Sequence, residues 1–239
     1  MVKTKTNRPV SIHKWVASEL GSRIVGGTYQ PGDYIPNETN LGEELGVSRT
    51  ALREAFKTLT AKGLIESRPK LGTRIKEQKH WNMFDSDVLE WFFTTEPSVS
   101  FYSSLFQVRC IFEPAAVKLA AESRTDEQIN DIAKAYEKME QAKIGTDEVF
   151  SSDLEFHMAL LDATNNDFII SLGKTIQSAL AGIFRLSSST EREYVDALPA
   201  HKAIYKAIES RNAIEAEQKM LDLLLESEKS VKAILKKQK

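Results

Sequence analysis

Between Asn37 and Leu59 the chain places two helix caps and a glycine so close together that only a tight helix-turn-helix satisfies them. Asn37 suits the N-cap of a short helix running to about Leu45, because its side-chain oxygen can accept from backbone N–H groups that have no helical partner. Gly46 supplies the turn, where a left-handed residue closes the helix. Ser48 can cap the next helix, on which Leu52, Ala55, Phe56 and Leu59 recur at i, i+3, i+4 and i+7. Arg49, Arg53 and Lys57 line the other face at i, i+4 and i+8.

The flanks extend this core into a larger unit. Ile12, Trp15, Val16, Leu20 and Ile24 predict a first amphipathic helix that stops at Gly26-Gly27, and Pro31-Gly32-Asp33-Tyr34 is turn chemistry. Leu64–Arg68 and Thr73–Lys76 read as two short strands around Pro69-Lys70-Leu71-Gly72. This order of elements is that of a winged helix-turn-helix, in which phosphate contacts anchor and side chains near the start of the second helix reach base edges. Charge supports a polyanion partner. Residues 1–76 carry 13 Lys+Arg against 7 Asp+Glu, whereas the remainder carries 19 against 27. A lone basic stripe is ordinarily a solvated helix face. The Gly turn, the Ser cap and the basic hairpin in register favour DNA, and an arginine fork can grip either a phosphate or guanine O6/N7.

The run Pro36-Asn37-Glu38 … Leu41-Gly42-Glu43-Glu44-Leu45-Gly46-Val47-Ser48-Arg49-Thr50-Ala51-Leu52-Arg53-Glu54-Ala55 … Gly63-Leu64-Ile65 … Gly72-Thr73 resembles the DNA-binding domain of GntR-type regulators. That resemblance implies that Arg49 and Arg53 contact operator DNA, and it makes the 68–72 loop the wing tip. The DNA-binding set is then Ser48, Arg49, Thr50, Arg53 and Lys57, with Thr39 and Lys70. Thr39 stands where many members carry a further DNA-contacting arginine, and Pro69-Lys70 replaces the usual glycine-rich tip.

The expected domains are 1–76, the winged helix-turn-helix; 77–97, a linker with an aromatic helix capped by Asp85 or Ser86 that docks one domain on the other; and 98–239, a helical domain. Helical periodicity runs through about 98–122, 126–143, 147–164, 167–188, 197–209 and 212–236, with breakers such as Gly145 and Asn165-Asn166 between. The fold class is therefore mainly α, ending in a bundle of about six helices. The chain is 41% hydrophobic and 28% charged, and no apolar run approaches the roughly 18–20 residues of a bilayer span. The basic N-terminus lacks the apolar stretch of a secretory signal, and the lone Cys110 fits a reducing compartment, so a cytoplasmic protein is expected without a membrane partner. Cys110 lies in an apolar pattern and reads as an inert thiol.

Three features of the helical part point to chemistry. Arg109 lies on the apolar stripe Leu105, Val108, Phe112, Ala116 and Leu119. A buried guanidinium is expensive without an anion, supplied either by Glu113 at i+4 or by a ligand carboxylate. Asp153 and His157 share a helix face at i, i+4, and His201 begins another helical run. Together they offer three ligands to a divalent ion with a place left open, although spacing alone favours an exposed Asp–His pair, which is common. Arg185, in an otherwise apolar helix end, is either a second anion contact or a snorkelling side chain.

Residues 98–236 resemble the FCD effector domain of the FadR-type branch of the same family. The likeness is carried by Val108-Arg109-x-x-x-Glu113-Pro114-Ala115-Ala116, Asp153-x-x-x-His157-x-x-Leu160, Asn166 and His201-x-Ala203-Ile204. Metal-binding members hold zinc or nickel with one Asp and three His. Asp153, His157 and His201 match three of these positions, and the fourth falls at Leu223. The implied effector is a small carboxylate, a sugar acid such as an aldonate or hexuronate, with Arg109, Arg185 and Asn166 as its contacts. The implied protein is a homodimeric repressor, not an enzyme, that leaves double-stranded operator DNA when the acid binds. A metal-dependent hydrolase at the Asp–His–His cluster is the alternative, but no partnered nucleophile or general base accompanies it.

Overall fold

In a computed structural model, residues 11–95, 98–176 and 191–237 are described, and the chain divides into two compact units, Met1–Pro97 and Ser98–Lys239. The first unit contains α1 (Ile12–Val25), α2 (Glu38–Leu45), α3 (Arg49–Ala61), β1 (Ile65–Arg68), β2 (Gly72–Ile75), a 3-10 turn at Gln78–His80 and α4 (Ser86–Thr94). The Asn37 side chain accepts from the Thr39 and Asn40 amides, Ser48 accepts from Ala51, and Gly46 adopts φ +65° between the two helices. Leu20, Ile24, Leu41, Leu52, Leu59, Leu64 and Ile75 are almost completely buried. Each fully buried aliphatic side chain is worth about 1.5–3 kcal/mol relative to exposure, so this small core fixes the angle between α2 and α3.

β1 and β2 pair antiparallel with Ile65 opposite Ile75 and Arg68 opposite Gly72. The segment expected to be turn chemistry does more than turn. Ile35 N–H donates to Thr73 O and Ile75 N–H to Asp33 O, so Asp33–Ile35 runs along the free edge of β2. At the wing tip Lys70 sits at φ +63°, a left-handed conformation that a glycine adopts without strain.

The aromatic segment packs within the first unit. Trp91 of α4 lies on α1, where its indole N–H donates to Ser18 Oγ at 3.2 Å, and Gly21 is the only residue type that leaves room for the ring. Asp85 caps α4 and also accepts from Lys62 Nζ at 2.6 Å, tying α4 to the end of α3. α4 thus completes the first unit.

The regular structure among the second unit's described residues is all helix: α5 (Val99–Ser123), α6 (Asp126–Gln141), α7 (Glu148–Asp162), helical residues 167–176 (α8), α9 (Glu191–Glu209) and α10 (Ala213–Lys237). Thr125 and Gln128 form a reciprocal capping box at the start of α6. α5 packs on α7, α9 and α10, and α6 on α7 and α9, around Ile132, Tyr136, Met139, Phe156, Leu160, Ile204, Ile208, Met220 and Leu224. Proline misplaces one expected boundary. The described residues of α9 run Glu191–Glu209 rather than from 197, with Pro199 inside the helix. No helix among the described residues is long and apolar enough to cross a membrane.

Candidate functional site

Two groups of side chains merit attention, one in each unit. On α3, Arg49, Thr50, Arg53 and Lys57 are all exposed, as are Ser48 at its start, Thr39 on α2 and Lys70 at the wing tip. Arg49 Nη2 donates to Thr39 Oγ1 at 3.2 Å, Arg53 Nε pairs with Glu38 Oε2 at 3.1 Å, and Lys57 pairs with Glu54 at 2.8 Å. Pairs this exposed are worth at most about 1 kcal/mol, so the cations can exchange these partners for phosphate or base oxygens. Glu38 and its hold on Arg53 were not foreseen, because the partner lies on the other helix.

In the second unit, the structure brings Arg109, Asp153, His157 and His201 into one buried cluster and adds Glu113. All five are less than a tenth exposed. α5 contributes Arg109 and Glu113 one turn apart, with Arg109 Nε on Glu113 Oε1 at 2.6 Å and Nη2 on Oε2 at 3.3 Å. The internal pair, one of the two readings open to Arg109, is therefore formed. α7 contributes Asp153 and His157, and α9 contributes His201. His201 Nε2 lies 3.2 Å from Asp153 Oδ1, and His157 Nε2 lies 4.0 Å from Asp153 Oδ2. Phe156, edge-on to both imidazoles, walls the cluster off from the core behind it.

The electrostatics are those of compensated burial. Burial alone raises the Glu113 carboxyl, but the Arg109 charge and His157 outweigh it and hold the group down to about 2. Asp153 is likewise lowered against its burial by His201, His157 and Arg109. His157 is raised, since Glu113 and Asp153 overcome the desolvation that opposes its charge. One atom of the cluster remains uncompensated: Asp153 Oδ2 is buried without a hydrogen-bond partner among the described residues. An orphan of this kind costs about 1–3 kcal/mol.

That orphan, with two imidazoles beside it, fits a divalent ion. Asp153, His157 and His201 each offer one donor atom, and the three lie within 4.8 Å of one another. Two nitrogens and a carboxylate oxygen suit zinc or nickel. Leu223, at the fourth position, is 6% exposed and packs in the apolar core, so its side chain offers no donor. Beside the cluster is a cavity whose wall includes Glu113 and His157 among Phe112, Val117, Leu160 and Met220. Arg109 is not on that wall; Glu113 is.

Asn166 does not join the cluster. Its Oδ1 accepts from the Phe168 and Ile169 amides and caps α8, which leaves its side-chain Nδ2 as the group that can turn to a ligand. Arg185 lies outside the described residues. Cys110 is half-buried, and burial pushes its thiol up, away from the reactive thiolate.

Comparison with known proteins accounts for both units. The model of bacterial regulatory proteins of the gntR family matches residues 13–75, and that of the FCD domain matches residues 104–226. The galactonate operon transcriptional repressor of Escherichia coli (strain K12) is 31% identical over 235 residues, covering 98% of this chain and 100% of the relative. The HTH-type transcriptional regulator YieP of the same organism is 35% identical over 195 residues, covering 81% and 84%. Among solved structures, Streptococcus agalactiae GntR is 28% identical with a TM-score of 0.52, covering 91% of this chain and 99% of that one.

Proposed function

The chain belongs to the GntR family of bacterial regulatory proteins and carries an FCD domain, and on that premise we propose that it represses a sugar-acid catabolic operon from the cytoplasm. The regulators of this family bind operator DNA and take small effectors in the FCD domain. The relatives are transcriptional regulators, so the hydrolase alternative has no support among them.

In this reading residues 1–76 bind DNA, 77–97 connect, and 98–239 sense. Arg49 and Arg53 read the operator, with Ser48, Thr50, Thr39, Lys57 and the wing-tip Lys70 holding phosphates. Two copies form a homodimer on a pseudo-palindromic site. Asp153, His157 and His201 hold a divalent ion, which when bound presents open positions to the oxygens of a chelating hydroxy acid. The sugar-acid class is supported by the relative named for the galactonate operon.

The observation that carries the reading is the buried cluster with its orphaned Asp153 Oδ2. Arg109, Glu113 and Asp153 sum to one negative charge, and a protonated His157 brings the cluster only to neutrality, so without an ion no net charge attracts a carboxylate. A divalent ion turns the sum to one positive charge and makes a single carboxylate welcome. Thermal melts against a panel of aldonates and hexuronates, with and without a strong chelator, test this. The expected result is stabilisation by one acid that the chelator removes. Equal stabilisation in both conditions, or by none of the panel, counts against it.

A further inference from the structure

Glu113 is assigned no role by the ion site or by the ligand contacts, yet it is the group that joins them. Its Oε1 and Oε2 take Arg109 at 2.6 and 3.3 Å, and Oε2 also lies 3.4 Å from His157 Nδ1. It is 6% exposed, and its surroundings are otherwise apolar on the cavity side. A buried carboxylate in such a place survives only if each of its oxygens has a partner.

The second histidine has a matching arrangement. His201 Nδ1 lies 2.9 Å from the Ala197 carbonyl, which can only accept, so Nδ1 carries a hydrogen and Nε2 is the nitrogen that faces Asp153, 3.2 Å from its Oδ1. His157 also directs Nε2 to Asp153 and Nδ1 to an acceptor, here Glu113. An imidazole whose far nitrogen is tied to a carboxylate or carbonyl is fixed in tautomer and orientation for a metal at its near nitrogen. His201 is held in that manner by the chain itself, and Glu113 Oε2, 3.4 Å from His157 Nδ1, is placed to do the same for His157.

We infer that Glu113 is a positioning residue for the ion: it accepts the Nδ1–H of His157, keeps Nε2 facing Asp153, and is itself held in place by Arg109. The inference rests on the reading of Asp153, His157 and His201 as ion ligands. It makes Arg109 part of the same device, so the anion contact and the ion site communicate through one carboxylate. A ligand carboxylate that draws on Arg109 then changes how tightly Glu113 holds His157.

The test is zinc affinity, measured on the full chain by competition with a chromophoric chelator, together with nitrogen-edited NMR of the zinc-free histidines at alkaline pH, where the imidazoles are neutral and no ion fixes the tautomer. Glu113→Gln should lower zinc affinity by about 10–100-fold, the usual effect of removing such an outer partner. Wild-type His157 should carry its hydrogen on Nδ1, and the variant should lose that single tautomer. Glu113→Asp keeps the charge for Arg109 but is one methylene shorter, and it serves if Glu113→Gln fails to fold; the same fall is expected. Zinc affinity within about threefold of wild type in the folded variant, with the His157 Nδ1–H retained, overturns the inference while leaving the ion site standing. A wild-type protein that takes up no zinc overturns the ion reading and this inference together.

Discussion

Arg49 and Arg53 illustrate what an exposed arginine is for when its ion pairs are weak. Each is held by a neighbour on α2, Thr39 or Glu38, in a pose that points away from the core. Replacing such a partner with a base edge is worth roughly 1–3 kcal/mol of discrimination. Arg49→Ala and Arg53→Ala should therefore each weaken binding to a selected operator by about 5- to 150-fold at fixed salt, measured by fluorescence anisotropy. Arg109 is the opposite case, buried and already paired. Arg109→Ala removes a charge-assisted contact of roughly 1.5–3 kcal/mol, and calorimetry at saturating ion should show effector affinity reduced accordingly. Unchanged affinity there removes Arg109 from the ligand's contacts. The Arg109–Glu113 pair was legible from i, i+4 spacing. The meeting of His157 with His201 was not, because no local rule brings α7 and α9 together, and only the family resemblance suggested it.

At the scale of elements, caps carried most of the information. Asn37, Ser48 and Asp85 were readable because a side-chain oxygen before a helix has a local job, satisfying backbone N–H groups within three residues. The edge pairing of Asp33–Ile35 with β2 and the passage of α9 through Pro199 were hidden, since both depend on tertiary neighbours that override local preference. The turn between α2 and α3 offers a clean test. Gly46 is left-handed, and an added Cβ there meets nothing within 4 Å, so only the backbone resists substitution. Gly46→Ala should cost about 1–2 kcal/mol in a urea melt followed by far-ultraviolet dichroism, and Gly46→Asn noticeably less. An Ala variant as stable as wild type means that the turn is not under conformational constraint.

The whole molecule joins a basic unit that carries the gntR-family match to an acidic unit that carries the FCD-domain match. One helix-turn-helix covers a single half-site, so the working species should be a dimer. Sedimentation should give a two-chain mass both free and on a palindromic duplex; a monomer in both conditions contradicts this. Because binding free energies are reciprocal, the acid that needs the ion must also raise ion affinity by the same factor. The claim at the centre of the account is that an acid bound at the Asp153–His157–His201 cluster releases the operator. The most direct measurement follows a fluorescent operator duplex bound to wild-type or His157→Ala protein as each sugar acid is added. The account predicts that one acid releases the duplex from wild type, while His157→Ala holds it as tightly as before and does not respond. Release from His157→Ala at the same concentration of acid contradicts the account.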